Sequence, residues 1–222
     1  MLLGHRGCKE KPENTISAFK YGLELGLKGF EFDVQKTLDN HLVVFHDDTL
    51  DRTTNSKGFL KQKSLSELKE VDAGNGEEIP TFQELLDFLD NEIFLQIEIK
   101  SEGCELGVVN QIKERDLYQN TIVISFNHDY LRKVKMLDPK INVIPIIYAK
   151  ILSPLNLINE LGANGISMNE KFIDHDTVKV VHKENKKITA WTVNEEERIS
   201  LLDKMNVDYI CTDYPSKFVN YI

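Results

Sequence analysis

At 222 residues, 41% hydrophobic and 28% charged, the chain can bury a sizeable core, and one domain spanning residues 1–222 is expected. Its 36 acidic residues outnumber its 27 basic ones, a formal charge of −9, which argues against a nucleic-acid backbone or an anionic membrane surface as main partner. Cys8, Cys104 and Cys211 are too few and too scattered for a disulfide framework or a zinc cluster. With no signal-peptide pattern at the start and no run of about 18 apolar residues, a cytoplasmic location without an integral membrane segment is expected.

The first apolar run, Leu2–His5, leads into a helical pattern with Ile16, Phe19 and Leu23 on one face, closing at Gly26. The second, Gly29–Val34, carries two carboxylates, Glu31 and Asp33, among Phe30, Phe32 and Val34. Side chains two apart on a strand share a face. Ionised groups seldom enter a buried strand unpaired, so a hard cation between them is the natural expectation. A further run, Leu42–His46, follows after a gap too short for a parallel crossover and reads as the return strand of a hairpin. A turn centred on Asp39-Asn40 would set Asp33 opposite His46. Residues 35–80, with a helical turn at 66–71 and a Gly74-Asn75-Gly76 loop, are therefore an insertion between the second strand and second helix, expected over the active-site mouth.

Thr81-x-x-Glu84 after Pro80 is a capping-box pattern, and Phe82, Leu85, Leu86 and Leu89 continue it as a helix. Strand-like runs recur at 94–100, 121–125, 142–147, 165–168, 188–193 and 208–212. Between them lie Leu131, Val134 and Leu137, then Leu155, Ile158 and Leu161 before Gly162, at helical spacing. Asn194 ahead of Glu195, Glu196 and Glu197 suits a helix N-terminus, and a short last helix starts near Pro215. Eight strand–helix units in this length predict an α/β fold, a small (βα)₈ TIM barrel. An open doubly wound sheet is the alternative. It would have fewer strands and a Gly-rich phosphate loop, and neither GxGxxG nor a P-loop is present.

Barrel catalytic groups sit at the C-terminal ends of strands. Those ends carry His5 and Arg6, Glu31 and Asp33, His46 from the hairpin, Glu98 and Lys100 on the alternating third run, Trp191, and Asp213. Glu31, Asp33 and Glu98 offer oxygen ligands suited to Mg²⁺ or Ca²⁺ rather than zinc. Arg6 and Lys100 face the same mouth and suit an anionic, phosphoryl-bearing substrate. His5 and His46 titrate near neutrality, as a general acid and base require. Together these residue types describe phosphate-ester cleavage.

His5-Arg6-Gly7, Pro12-Glu13-Asn14-Thr15, Glu31-Phe32-Asp33, Val43-Val44-Phe45-His46-Asp47, Asp51-Arg52-Thr53-Thr54, Ile97-Glu98-Ile99-Lys100, Trp191-Thr192-Val193-Asn194 and Thr212-Asp213-Tyr214-Pro215 resemble, in this order, the glycerophosphodiester phosphodiesterases. The resemblance implies a (βα)₈ barrel with a small insertion, and hydrolysis of a small-molecule glycerophosphodiester to an alcohol and glycerol 3-phosphate. It implies His5 and His46 as the acid–base pair and Arg6 and Lys100 at the phosphate. Glu31, Asp33 and Glu98 would hold the divalent cation, with Glu13 near the site mouth and Phe126 and Trp191 as apolar walls around glycerol. Cys-Lys-Glu-Lys at 8–11 departs from the small residues expected there, and 151–180 matches only loosely.

His41, His128, His175 and His182 read as structural. Glu31 and Asp33 could pair with Arg6 and Lys100 in a structural ion network, a costly arrangement when buried. Trp191 is as much core as wall. Asp213 reads as a turn or cap residue outside the site. Cys8 has no adjacent base and is not expected to be a nucleophile. A related lipid phosphodiesterase, of lysophospholipase D or sphingomyelinase D type, would need an apolar entrance, and no exposed aromatic cluster is legible. An inactive binding barrel would lack a histidine or a metal carboxylate, and all are present. The expected assembly is a monomer or homodimer.

Overall fold

A computed structural model describes residues 1–222. Eight parallel strands close on themselves: β1 (Leu2–His5), β2 (Gly29–Lys36), β4 (Phe94–Ile99), β5 (Thr121–Ser125), β6 (Asn142–Ile147), β7 (Gly165–Asn169), β8 (Lys187–Trp191) and β9 (Tyr209–Thr212). β1 pairs with both β2 and β9, which completes the barrel. The helices are α1 (Ile16–Glu24), α2 (Leu65–Lys69), α3 (Phe82–Phe88), α4 (Glu105–Glu114), α5 (His128–Leu137), α6 (Pro154–Leu161), α7 (His175–Lys183) and α8 (Glu196–Lys204), with a 3₁₀ segment over Pro215–Tyr221. No helix is long and apolar enough to cross a membrane.

Alternation along each strand divides the core. On β4, Leu95, Ile97 and Ile99 join the main cluster under the helices. Phe94 points inward, to a smaller cluster with Leu3, Ile122, Ile124, Ile144, Ile146 and Cys211. Above that floor Gln96 donates across the barrel to Thr189 Oγ1 at 2.9 Å. Glu98 comes one inward step later, so the carboxylates sit over an apolar plug and a polar layer that exclude water from below. The capping box at Thr81 and Glu84 is formed, and a similar one at Ser64 and Glu67 starts α2.

Three local expectations need correction. β3 (Leu42–Val44) pairs antiparallel to β2 with Val34 opposite Val44, so Asp33 faces Phe45 rather than His46. The connection is a three-residue loop, Leu38-Asp39-Asn40, closed by Thr37 and His41, with Asn40 left-handed at φ 66°. Such a loop shifts the register by one from that of a two-residue turn. Asn194 does not cap α8; the cap position is Glu195, without a side-chain bond. Asn194 is drawn away by Asp213, donating to its Oδ2 at 2.8 Å and accepting from its backbone N–H at 3.0 Å. Leu137 is half exposed, beyond the buried face of Leu131 and Val134.

Residues 35–80 carry their own small core, in which Val43, Phe45, Leu50, Leu60, Leu68, Val71, Ala73 and Ile79 pack together. β3 lies against the part of β2 that extends past the end of the short β1.

Candidate active site

β1 ends where Arg6 and Gly7 take left-handed conformations, at φ 53° and 83°. A Cβ on Gly7 would stand 2.7 Å from that of Ala18, so glycine is required there for the chain to turn over α1. The turn aims His5 and Arg6 into the mouth. Arg6 N–H donates to Glu31 O at 2.7 Å, and Asn14 N–H returns to Arg6 O at 2.9 Å. Register then does the assembly: His5 is level with Glu31, and Asp33 is level with Glu98.

Glu31, Asp33 and Glu98 each present an oxygen within 4.8 Å of the others, and all three are buried. Burial, then the charges of Asp33 and Glu98, push the Glu31 carboxyl well above its usual range. Burial and Asp33 raise Glu98 to about 7. Glu31 Oε2 and Asp33 Oδ1 are buried without a hydrogen-bond partner. Orphaned buried oxygens and mutually repelling carboxylates fit a hard divalent cation, which would satisfy both. Two side-chain cations flank the cluster. Lys100 Nζ lies 3.1 Å from Glu98 and 3.8 Å from Asp33, and Arg6 Nε lies 3.4 Å from Asp33. Asn14 Nδ2 donates to the second Asp33 oxygen at 2.9 Å.

Both histidines are backed by carboxylates. His5 Nδ1 is 2.7 Å from Asp213 Oδ1, with Nε2 turned to Glu31 at 3.7 Å. Burial alone would raise Asp213, but His5, with Asn194 and Lys9, outweighs it and holds this carboxyl at about 2. His46 Nδ1 is 2.5 Å from Asp47 Oδ1. Its backbone is held from below: Gln35 Nε2 donates to the carbonyls of Phe45, His46 and Asp47 at 3.2, 3.0 and 2.7 Å. Burial lowers His46, with Asp33 opposing. A cavity of about 290 Å³ unites the groups: His5, Arg6, Glu31, His46 and Glu98 on one wall, and Phe126, Tyr148 and Trp191 on the other.

Residues 5–217 match the sequence profile of the Glycerophosphoryl diester phosphodiesterase family. The chain belongs to this family. It is 37% identical to a glycerophosphodiester phosphodiesterase of Caldanaerobacter subterraneus subsp. tengcongensis, covering 100% of this chain and 97% of that one. It is 34% identical to one of Bacillus altitudinis, covering 98% and 96%. An Oleispira antarctica phosphodiesterase, solved in complex with the product sn-glycerol-3-phosphate, superposes with a TM-score of 0.90 at 29% identity, covering 99% of this chain and 95% of that one. A glycerophosphodiester phosphodiesterase from Thermotoga maritima superposes at 0.85 with 26% identity, covering 100% and 97%.

As a glycerophosphodiester phosphodiesterase, the chain brings every catalytic, substrate-binding and metal candidate of its sequence to one mouth. His5, Arg6, Glu31, His46, Glu98, Phe126 and Trp191 line the cavity. Asp33 and Lys100 stand directly behind, and Glu13 accepts from Arg6 Nη1 at 2.8 Å. Cys8 lies outside, its thiol 3.2 Å from Ala18 O and pushed up to about 12 by burial. Asp213, expected from the sequence as a turn or cap residue outside the site, instead backs His5, and nothing local in its Thr-Asp-Tyr-Pro motif signals that contact. Asp47 and Tyr148 were also missed. Phe126 is 48% exposed and Tyr148 63% exposed, flanking Trp191 at ring distances of 5.4 and 5.8 Å. That corrects the expectation of no exposed aromatic cluster.

Proposed function

We propose that this phosphodiesterase is a divalent-metal-dependent hydrolase that releases an alcohol and sn-glycerol 3-phosphate by histidine acid–base catalysis. The observation that carries the reading is the gathering of two carboxylate-backed histidines beside a three-carboxylate cluster in one cavity. Glu31, Asp33 and Glu98 would hold Mg²⁺ or Ca²⁺, which when bound supplies the positive charge that polarises the attacking hydroxyl and phosphoryl oxygens. Arg6 and Lys100 bind the phosphoryl oxygens. Phe126 and Trp191 hold the glycerol skeleton. Because Nδ1 of each histidine is occupied by a carboxylate, Nε2 is the free nitrogen. One histidine takes the proton of the glycerol hydroxyl next to the ester as that oxygen bonds to phosphorus. The other gives its proton to the departing alcohol oxygen as the opposite P–O bond breaks. Water opens the resulting cyclic phosphate with the two roles exchanged.

The insertion acts in this scheme as a cap, because His46 and Asp47 come from it. A reducing, cytoplasmic setting accords with three free, buried cysteines. Phosphorus NMR of glycerophosphocholine tests the whole reading. Glycerol 3-phosphate is expected with Mg²⁺, Ca²⁺ or Mn²⁺ and none after chelation; no turnover with any of these ions would refute it. The exposed aromatic entrance favours a second reading, hydrolysis of lipid-like diesters such as lysophospholipids. It predicts that a monoacyl substrate below its micelle concentration competes with glycerophosphocholine. A complete lack of competition would dismiss it.

A further inference from the structure

The Asp51-Arg52-Thr53-Thr54 run touches no group assigned to phosphate, metal or proton transfer, yet its arginine has a distinctive set of contacts. Arg52 Nε and Nη2 donate to Asp47 at 2.6 and 2.9 Å. Nη1 and Nη2 donate to Glu13 at 3.0 and 2.6 Å. Each carboxylate has a second partner further in: Asp47 meets His46 at 2.5 Å, and Glu13 meets Arg6 at 2.8 Å. One planar guanidinium therefore spans two elements that enter the mouth separately, the loop after β1 and the chain after β3. The turn that carries Arg52 is braced. Thr54 Oγ1 donates to Leu50 O at 2.7 Å, Gly58 N–H donates to Asp51 Oδ2 at 3.0 Å, and Leu50 itself is fully buried.

On the functional reading above, we propose that Arg52 is a positioning residue that clamps Glu13 and Asp47 together. It thereby sets the phosphate-binding Arg6 and the acid–base His46 in one frame. The bland alternative is a surface ion pair. Exposed pairs contribute little, because two long side chains must be ordered in water. Here the arginine is 46% exposed, but its partners' side chains are only 10% and 21% exposed. It makes two bonds to each. Guanidinium–carboxylate forks fix orientation as well as distance, which a lysine ammonium cannot do. Without Arg52, Asp47 and Glu13 would be two repelling carboxylates on separate segments, each free to swing its partner out of line.

The test is steady-state hydrolysis of glycerophosphocholine by the full chain with Mg²⁺, comparing parent and variants. Arg52→Gln is expected to lower kcat/KM at least about tenfold, with kcat reduced and KM raised, and Arg52→Lys to lie between it and the parent. Arg132→Gln removes an equally exposed arginine paired with Glu160 at 2.7 Å and is expected to stay within about twofold of the parent. The distinguishing readout is a split between the two arms. In an Asp47→Asn background, Arg52→Gln is expected to lose its effect on kcat but keep that on KM. In a Glu13→Gln background the reverse is expected. A loss smaller than about tenfold, or undiminished effects on both constants in both backgrounds, would overturn the proposal. If Arg52→Gln does not fold, Arg52→Lys carries the same test: it must lose at least about threefold with the same split, and anything less overturns the clamp. An inactive parent defeats the functional reading itself; an active parent indifferent to Arg52 defeats this inference alone.

Discussion

Glu98→Gln is expected to stabilise the metal-free protein while abolishing turnover. Burial and the charge of Asp33 raise this carboxyl to about 7 from its ordinary 4.5. A carboxyl whose folded value lies above its unfolded one costs nothing below the unfolded value, and its full cost is present above the folded one. At about 1.4 kcal/mol per pH unit, the cost approaches about 3 kcal/mol above pH 7. In a chain of this length, 1 kcal/mol moves the melting temperature by about 2–4 °C. Glu98→Gln is therefore expected to melt about 6–12 °C above the parent at pH 8 in chelator, and to converge with it toward pH 4.5. Millimolar Mg²⁺ or Ca²⁺ is expected to reverse the order at pH 8, because an ion that binds only the folded parent stabilises it by mass action. Thermal unfolding followed by circular dichroism at pH 5 to 8, with chelator or metal, reads all of this. A variant less stable than the parent at pH 8 in chelator, or a gap independent of pH, would refute the idea that carboxylate repulsion is stored in this site for a cation.

His5→Asn and His46→Asn are each expected to lower kcat by about 10²–10⁴, with melting close to the parent, and to remove one limb of the pH–rate profile. Unchanged rates in either would exclude that histidine from proton transfer. Asp213→Asn is expected to cost about 10- to 100-fold in kcat, since a hydrogen bond to a charged group contributes about 1.5–3 kcal/mol to holding His5; full activity would reduce Asp213 to a turn residue. Burial alone would raise Glu13, but Arg52 and Arg6 outweigh it and hold this carboxyl at about 2. Its folded value lies below its unfolded one, so its stabilisation is complete above pH 4.5 and is lost as pH falls through about 2. Acid titrations of unfolding should accordingly be shallower in Glu13→Gln between those limits, and an identical slope would contradict the pairing.

Strand and helix identity was legible because the signals are local. Alternation on 94–100, the Thr81–Glu84 box and the Gly162 stop each depend on a few neighbouring residues, and barrel order follows from their sequence. The metal-ligand candidates were legible for the same reason: Glu31 and Asp33 share a strand face by period alone, and Glu98 repeats the pattern. Register across the hairpin was not, because it turned on whether Asn40 takes a left-handed conformation, a choice of one residue that moves every partner by one.

From the sequence alone come the eight strand–helix units, the inserted hairpin and the residue types of a phosphodiesterase mouth, since these follow from periodicity and from chemistry carried at strand ends. Only the tertiary structure decided who holds whom. Asp213 reaches His5 from the far end of the chain because closing the barrel sets β9 beside β1. Arg52 joins Glu13 to Asp47 because the insertion folds back over the first loop. Phe126, Tyr148 and Trp191 form one wall because β5, β6 and β8 end around the same opening. Such contacts are set by chain closure and packing between distant segments, and no local pattern of residues encodes them.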